Sequence, residues 1–583
     1  MGAQILLLAL PSIVGSASAQ TSAVPERVEL RVEIAGVEGD VEDNVEARLK
    51  IMQLAADDTA APPSTVRDLH DAAVHDIVRA LQPFGYYRPE IKADLDTLSS
   101  PWLARYTIDP GPPITLTQVN VQVEGPGDNE PRFREAVETF PLSQGDVLKH
   151  SAYGAGKARL RSIAAELGYL DARFDTAQIR IDLDKYDSRI LLHFQTGQRY
   201  RFGPVTFRQD VLDVEVLRNQ LPFERGDPFD TEKLLELQTR LRDGPNFRSV
   251  EVQPLTNLTD GLEVPVDVDL EPNQPRRYEI GVGYGTNTGP RARAHTEFRR
   301  LNRNGHRATG DLTVSTVERS LTGRYIIPHS SPSRMQITFF SSYANLTPEP
   351  SSSDLLRAGT SVTRFRGGWR ETFTLEYDFE SFEVGVDTAN SSLLTLGGTW
   401  SLTQLDDQTF PTRAFQAEIA LRGGHDALLS TTTFGQLTLD GTAIRPLASR
   451  TRIIAQARLG VTATSDFRAL PPSIRFFTGG DRSVRGYSYQ SLGPRDRAGN
   501  VIGGDGLLTA SLELEHLFLE HWGAAVFFDT GNAVDLLDVS LKHGAGAGLR
   551  WLAPIGMVRL DAAFALSRDG TPIRFHLIIG PDL

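Results

Sequence analysis

The period of the hydrophobic pattern changes near residue 273 and divides the chain into two parts. Before that point, short stretches of alternating apolar residues are followed by segments with apolar residues at helical spacing. From about residue 276 the period becomes two and stays there. In residues 373–380, for example, Phe, Leu and Tyr alternate with Thr, Glu and Asp. The first part therefore predicts small α+β modules, and the second part predicts an all-β domain.

The first part repeats one order of elements three times. Each repeat begins with a strand pattern, continues with two helical patterns and closes with two more strands. In the first repeat the helical patterns cover residues 41–53 and 65–82. A repeat of this size is typical of tandem modules that each bury one sheet face under two helices. We therefore predict β-α-α-β-β domains at residues 27–110, 111–197 and 198–273.

The edge strands of such modules allow two interpretations. They could be plain spacers, or their unsatisfied N–H and C=O groups could pair with an extended client or partner. Docking is the interpretation that agrees better with the features of the second part.

After the second helix of each repeat the pattern breaks and restarts with aromatic or apolar residues, as at residues 84–87 (FGYY) and 167–170 (LGYL).

The second part, residues 274–583, predicts a closed membrane barrel. Its strands carry charged residues on one face and apolar residues on the other, without helices to cover either, which suits lipid outside and a polar lumen inside. Backbone groups in hydrocarbon must pair internally, so the sheet has to close. The 310 residues give 19 per strand and connection for about 16 strands. Twelve or fourteen strands with longer loops also fit this length, and a soluble β-sandwich is the alternative architecture.

Charge follows the same division. Residues 1–273 carry 28 Lys and Arg against 44 Asp and Glu, a net −16, whereas residues 274–583 carry 32 against 30, a net +2. The overall charge of −14 argues against a general nucleic-acid partner, because phosphate contacts need an excess of basic residues. The absence of cysteine excludes disulfides, thiolate metal sites and cysteine nucleophiles.

Enzyme motifs do not occur in the sequence. No H-E-x-x-H, G-x-S-x-G or Walker A string is present, and no pair of histidines has the i, i+4 spacing of metal ligands on a helix. We therefore predict no enzymatic activity, no catalytic residues, no metal site and no cofactor.

The first residues predict export from the cytoplasm. Residues 5–14 form a short apolar run, and Ala-Ser-Ala at residues 17–19 matches a signal-peptidase site, so residues 1–19 are predicted to be a signal peptide. No Lys or Arg precedes the apolar run, and a frayed apolar terminus is the alternative interpretation.

A long loop, residues 466–506, separates two predicted barrel strands. A connection of 41 residues is so long that it is usually either functional or disordered. Glycines that permit a tight fold-back occur beside aromatic residues that could pack it, which favours a folded loop. Its centre contains the tetrapeptide VRGY, formed by Val484, Arg485, Gly486 and Tyr487.

VRGY and the run FFDTGNA (residues 527–533) resemble two signatures of the superfamily that contains BamA, TamA and the two-partner secretion transporters. The resemblance implies that the loop folds back into the lumen and that Arg485 meets acidic residues on the following strands. Glu513 and Asp529 are the candidates here, with Glu515 and Asp481 as weaker ones. The alternation in residues 507–515 independently places Glu513 on the polar face.

The guanidinium of Arg485 can bridge two carboxylates because its five donors lie in one planar fork. Removing one partner of a buried ion pair costs about 3–5 kcal/mol, since the other charge is left alone. The alternative is that Arg485 lies in a solvated loop. We predict a structural contact, with no catalytic chemistry.

Within that superfamily, three modules and this length are most similar to the TamA subfamily. The resemblance implies POTRA domains (polypeptide-transport-associated domains) in the periplasm and a barrel in the bacterial outer membrane. The implied partners are a TamB-like periplasmic protein anchored in the inner membrane, unfolded outer-membrane β-barrel or autotransporter clients, and outer-membrane lipid. A two-partner secretion transporter and a passive porin-like channel are the alternative functions.

The resemblance also implies that the first and last barrel strands meet at a weak lateral seam, through which clients are inserted or secreted. This seam would join residues 277–285 to residues 573–580. Glycine weakens strand interiors, and three glycines share one face of the first strand. The residues predicted to form the seam are Gly281, Gly283, Gly285, Phe575, Leu577 and Ile579.

Overall fold

The computed structural model describes residues 27–56, 60–329, 335–407, 410–536, 538–553 and 556–579. The predicted signal peptide lies outside these residues. Two compact units divide the chain. The first comprises Met1–Gly203, Arg225–Glu232 and Thr256–Val264, and the second comprises Pro204–Glu224, Lys233–Leu255 and Pro265–Leu583. None of the helices in the described part of the chain is long and apolar enough to cross a membrane.

Three small sheets with helices form the N-terminal part. The first module comprises β1 (Leu30–Ala35), α1 (Asp40–Arg48), α2 (Lys50–Ala56), α3 (Pro63–Leu81), β2 (Glu90–Asp96) and β3 (Trp102–Asp109). The second comprises β4 (Thr115–Glu124), α4 (Pro131–Glu138), α5 (His150–Glu166), β5 (Arg173–Asp182) and β6 (Asp187–Gln195). The third comprises β7 (Arg201–Arg208), α6 (Val214–Arg218), α7 (Thr231–Arg242), β8 (Phe247–Pro254) and β9 (Glu263–Pro272).

The sheets share one strand order, β1-β3-β2, β4-β6-β5 and β7-β9-β8. The first module departs from prediction in one respect, because the pattern at residues 41–53 forms two helices. The break falls at Leu49, whose backbone is extended and whose side chain is fully buried in the core of the module. In the third module Leu234, Leu237 and Leu241 lie on the buried side of α7, as their helical spacing indicates.

In the first two modules, the residues after the second helical pattern form the junction with the following module. The carbonyl of Gly85 accepts a hydrogen bond of 2.8 Å from the backbone N–H of Ile114, where the second module begins. The carbonyl of Gly168 accepts an equivalent bond of 2.8 Å from the N–H of Tyr200. The repeated sequence breaks therefore mark repeated joints.

The sixteen remaining strands form one closed barrel in which each strand pairs with its sequence neighbours, and β10 pairs with β25. They are β10 (Arg276–Gly285), β11 (Gly289–Phe298), β12 (Arg307–Val314), β13 (Glu318–Pro328), β14 (Met335–Leu346), β15 (Ser351–Arg366), β16 (Trp369–Val384), β17 (Asp387–Leu405), β18 (Ala414–Gly424), β19 (Phe434–Ala448), β20 (Thr451–Thr464), β21 (Gly506–Leu517), β22 (Trp522–Val534), β23 (Lys542–Ala553), β24 (Gly556–Ala565) and β25 (Ile573–Ile579). The sixteen-strand barrel is confirmed, and the alternatives of twelve or fourteen strands are wrong.

Apolar residues cover the outside of this barrel. Along β16, Phe373, Leu375, Tyr377 and Phe379 are exposed, whereas Asp378 and Glu380, which alternate with them, are buried. This alternation follows from the strand geometry, because successive side chains point to opposite faces. The charged face therefore lines the lumen, as the pattern predicted.

We call the end of the barrel where β10 begins the near rim and the opposite end the far rim. At the near rim, part of the third module is bonded to the turn between β11 and β12. The Arg300 guanidinium donates to the backbone carbonyls of Asn246 and Asn273, each at 2.7 Å. Arg303 donates to the Asp213 carboxylate at 2.9 Å.

Candidate functional site

The long loop, residues 465–505 in the structure, folds back from the far rim into the lumen. Its first half is held against the wall formed by β16 to β19. The Ile474 carbonyl accepts a bond of 2.7 Å from the Gln436 amide, and the Ser473 hydroxyl donates to the Glu380 carboxylate. Apolar side chains pack beneath these bonds, namely Leu393, Phe434, Leu470 and Ile474. The loop is therefore an ordered part of the lumen.

Arg485 lies in the second half of the loop and contacts both of its predicted acidic partners. Its Nε and Nη2 donate to the two carboxylate oxygens of Asp529 at 2.8 and 2.9 Å. Its Nη1 donates to Glu513 at 2.7 Å. The guanidinium carbon also lies 3.4 Å from the centre of the Phe527 ring, a cation–π arrangement. Arg485 is buried, so the alternative of a solvated arginine does not describe its position.

A second arginine, which the sequence patterns did not single out, extends these contacts. Arg550 on β23 donates to Glu513 at 2.6 Å and to Asp561 on β24 at 2.6 Å. Asp561 also accepts from Arg485 at 3.2 Å. Glu513 and Asp561 are thus each shared between the two guanidinium groups.

Glu515 belongs to the same group of charges but not to the immediate surroundings of Arg485. It accepts from Arg550 at 2.9 Å and from Arg452 on β20 at 2.6 Å. Asp481 lies elsewhere, because no hydrogen bond or ion pair between its carboxylate and Arg485 occurs among the described residues. We call the set of three arginines and four carboxylates the arginine network, namely Arg452, Arg485, Arg550, Glu513, Glu515, Asp529 and Asp561.

The charges of the arginine network are nearly balanced, and all seven side chains are buried. A buried carboxylate or guanidinium is stable only when its hydrogen bonds are satisfied, and here each carboxylate accepts from at least one arginine. Such a network fixes geometry more than it adds stability. Its members come from β20 to β24 and from the long loop, so it ties the loop to the wall next to the last strand.

Glycines on β23 leave room for the residues of the arginine network. A Cβ on Gly548 would lie 1.8 Å from the Asp561 carboxylate, and one on Gly544 would lie 2.1 Å from the Arg485 carbonyl. The run HGAGAG (residues 543–548) alternates glycine with alanine, and every glycine faces the lumen together with Arg550. The shared parity of these residues is the signal in the sequence that could have identified Arg550.

The other residues of VRGY hold the loop in place around Arg485. Gly486 has a φ of +95°, and a Cβ there would lie 2.9 Å from the backbone of β24. Val484 and Tyr487 are buried in a small apolar cluster with Leu492 and Ala565. The motif therefore combines an ion-pairing side chain with a backbone that approaches the wall closely.

The junction of β10 with β25, which we call the seam, closes the barrel. Among the described residues it contains two pairs, Tyr284 with Ile579 and Gly285 with Ile578. Thr286 adds a backbone bond of 3.0 Å to the Leu577 carbonyl, and its hydroxyl accepts from the Leu577 N–H at 2.7 Å.

The seam brings together only some of the residues predicted for it. Gly285, Leu577 and Ile579 lie at the seam, and the backbone of Gly283 lies close to the Ile579 carbonyl. Gly281 and Phe575 form no pair across it among the described residues. The described register pairs residue 285 with residue 578, and the joining of residues 277–285 to residues 573–580 stays a prediction.

Two family models match the chain. Residues 301–582 match the Omp85 superfamily domain, and residues 31–110 match the POTRA domain described as TamA domain 1. The barrel is thus of the Omp85 superfamily, and the first module is a TamA-type POTRA domain. The outer membrane protein assembly factor BamA of Nitratidesulfovibrio vulgaris is 33% identical over 138 residues, which cover 22% of this chain and 17% of that protein. This chain therefore spans less than a fifth of that relative.

A solved structure shares the fold. BamA from Haemophilus ducreyi lacking POTRA domains 1–3 superposes with a TM-score of 0.65 at 18% identity, covering 80% of this chain and 99% of that chain. CdiB from Escherichia coli gives a TM-score of 0.49 at 14% identity, covering 93% of this chain and 99% of that chain.

Proposed function

We propose that this chain, a BamA-like outer-membrane β-barrel of the Omp85 superfamily with its POTRA domains in the periplasm, helps to insert or secrete β-barrel clients through the seam. The near rim then faces the periplasm and the far rim faces the outside. The observation that carries the proposal is the closure of the barrel by β10 against β25, where Tyr284 pairs with Ile579 and Gly285 pairs with Ile578.

The seam suits this function for a physical reason. Each backbone pair that holds β10 to β25 must be exchanged when a client strand adds to an edge, and an edge with few pairs is exchanged at lower cost. In hydrocarbon an open edge is costly unless another strand covers it. An incoming client strand would supply the missing hydrogen bonds.

The arginine network supports this proposal by keeping the neighbouring wall fixed. Its carboxylates and arginines join β20 to β24, so these strands would stay together while β25 moves. In this proposal Arg485 has a structural role: it holds the long loop inside the lumen beside the seam.

The POTRA domains would receive clients or a periplasmic partner. We propose a TamB-like partner anchored in the inner membrane, and the match of residues 31–110 to the TamA-type domain is the support for it. Edge strands of the three sheets could accept extended segments by β-augmentation. The unfolded outer-membrane β-barrel or autotransporter clients are part of the same proposal.

A disulfide across the seam tests the lateral route. Tyr284→Cys with Ile579→Cys places two thiols at directly paired positions, and the native chain has no cysteine to interfere. We expect the oxidised protein to lose at least about tenfold in the rate of client assembly, because β25 can no longer leave β10. Reduction should restore the rate, measured by the heat-modifiable mobility of a newly assembled barrel client.

A matched disulfide on the opposite wall is the control. Leu375→Cys with Leu396→Cys joins β16 to β17 at paired, lipid-facing positions. This variant should assemble clients normally in both redox states. Full activity of the oxidised seam variant would contradict the lateral route, and equal loss in both variants would point to a general effect of oxidation.

A further inference from the structure

The tip of the long loop is bonded to the last barrel strand inside the lumen. The backbone N–H of Gly486 donates to Nε2 of His576 on β25 at 3.1 Å. Two residues along each segment, the Arg574 guanidinium donates to the Ser488 hydroxyl. Loop residues 486–488 therefore run beside β25 on its inner face.

The same loop reaches the other side of the seam. The backbone of Gly480 lies against Asn287, in the turn that follows β10, where a Cβ on Gly480 would come within 2.6 Å of the Asn287 amide. Residues 480–488 thus span the seam from within. The loop is placed to hold β25 in its position.

His576 can hold the loop only in its neutral form. A backbone N–H can only donate, so Nε2 of His576 must accept, and the ring proton is then on Nδ1. His576 is 1% exposed, and its Nδ1 has no hydrogen-bond partner among the described residues. A second proton would turn Nε2 into a donor that faces the donor of Gly486.

Four charged groups lie near this imidazole. Asp561 is directly opposite on β24, Arg574 is on the same strand, and Arg485 and Asp529 approach from the loop and from β22. The Asp561 carboxylate already accepts from Arg550 and Arg485. An imidazolium at His576 would compete with these arginines for Asp561, and would repel Arg574.

We propose that His576 is a positioning residue that joins the long loop to β25 while its imidazole is neutral, and that protonation releases the last strand from the loop. The inference deepens the proposed function and rests on it for its purpose. The state of the seam itself can be measured without any client.

Spin labels on the two lipid-facing sides of the seam report its state. Val282→Cys and Leu577→Cys carry the labels, in nanodiscs of phosphatidylethanolamine and phosphatidylglycerol. Between about pH 8 and about pH 4 we expect the distance distribution of the otherwise native protein to broaden and lengthen. His576→Gln keeps an acceptor that does not titrate in this range, so its distribution should stay narrow. His576→Ala should be broad at both pH values.

The comparison with His576→Gln makes the test decisive, even if His576→Ala does not fold. If the glutamine variant broadens with falling pH as the native residue does, other groups control the seam and the proposal is overturned. A native distribution that does not change with pH overturns it as well. If His576 controls the distance while the oxidised seam disulfide leaves client assembly intact, the lateral route fails and the role of His576 stands.

Discussion

The barrel closes by two different means on its two sides. The wall of β15 to β17 depends on length, with sixteen backbone pairs at each of its two junctions and one row of acidic residues facing the lumen. The wall beside the seam has shorter strands, lumen-facing glycines and the arginine network. Backbone pairing gives uniform stability, whereas a buried ionic network gives a defined arrangement that fails as a unit. The wall of β15 to β17 is thus stabilised along its whole length, whereas the wall beside the seam is fixed in one particular geometry.

The largest difference between the walls should appear when Arg485 is removed. Among the described residues, Arg485→Ala removes one of the two arginines on Glu513 and the single arginine on Asp529, at a cost of about 3–5 kcal/mol. We expect protease cleavage within residues 481–488 and impaired client assembly. Arg485→Lys keeps the charge but not the planar fork, so it should restore only part of the protection.

Arg357→Ala is the matched control on the other wall, because Arg357 donates to both oxygens of Asp378 at 2.8 Å. It should leave residues 481–488 protected. Unchanged protease resistance and unchanged client assembly in Arg485→Ala would show that the network is not needed.

A smaller effect is expected from filling space within the network. Gly548→Ala introduces a Cβ that would lie 1.8 Å from the Asp561 carboxylate and should destabilise the barrel by about 1–3 kcal/mol. Gly441→Ala on β19 places its Cβ where no atom lies within 4 Å, and should be neutral. Unfolding in urea, followed by the heat-modifiable mobility of the barrel, compares the two variants. Equal stability would mean that the glycine run is not a packing requirement.

The smallest effect should come from the hydroxyl that supports the seam. Thr286→Val removes the acceptor of the Leu577 N–H and should weaken the seam by about 1 kcal/mol. Thr372→Val removes a hydroxyl pair of 3.2 Å between β15 and β16, where many backbone bonds remain. Amide exchange at Leu577 should accelerate in the first variant only. Similar exchange in both would contradict a seam of low stability.

Much of the architecture could be predicted because alternation is local. The period of two identifies the lumen-facing and lipid-facing sides of β16 without knowledge of its neighbours. The number of strands could not be derived, since twelve, fourteen and sixteen strands differ only in how residues are divided between strands and loops. The break at Leu49 escaped prediction because one buried leucine turns the chain within an otherwise continuous helical pattern.

The residues of the candidate site could likewise be predicted only in part. Arg485 and Glu513 could be paired from a motif and from the parity of one strand. Arg550 and Asp561 join them through the register of β23 with β24, which depends on closure of the whole barrel. The register of the seam could not be derived for a related reason, because the offset between the first and last strands is set by the stagger of all sixteen strands.

The bonds of Arg300 have a mechanical consequence. Its guanidinium joins the carbonyls of Asn246 and Asn273 to the turn between β11 and β12, and this hairpin pairs directly with β10. This part of the third module is therefore bonded directly to the hairpin of β11 and β12, one strand away from the seam. The strands β15 to β17, which share sixteen pairs at each of their two junctions, lie away from these bonds.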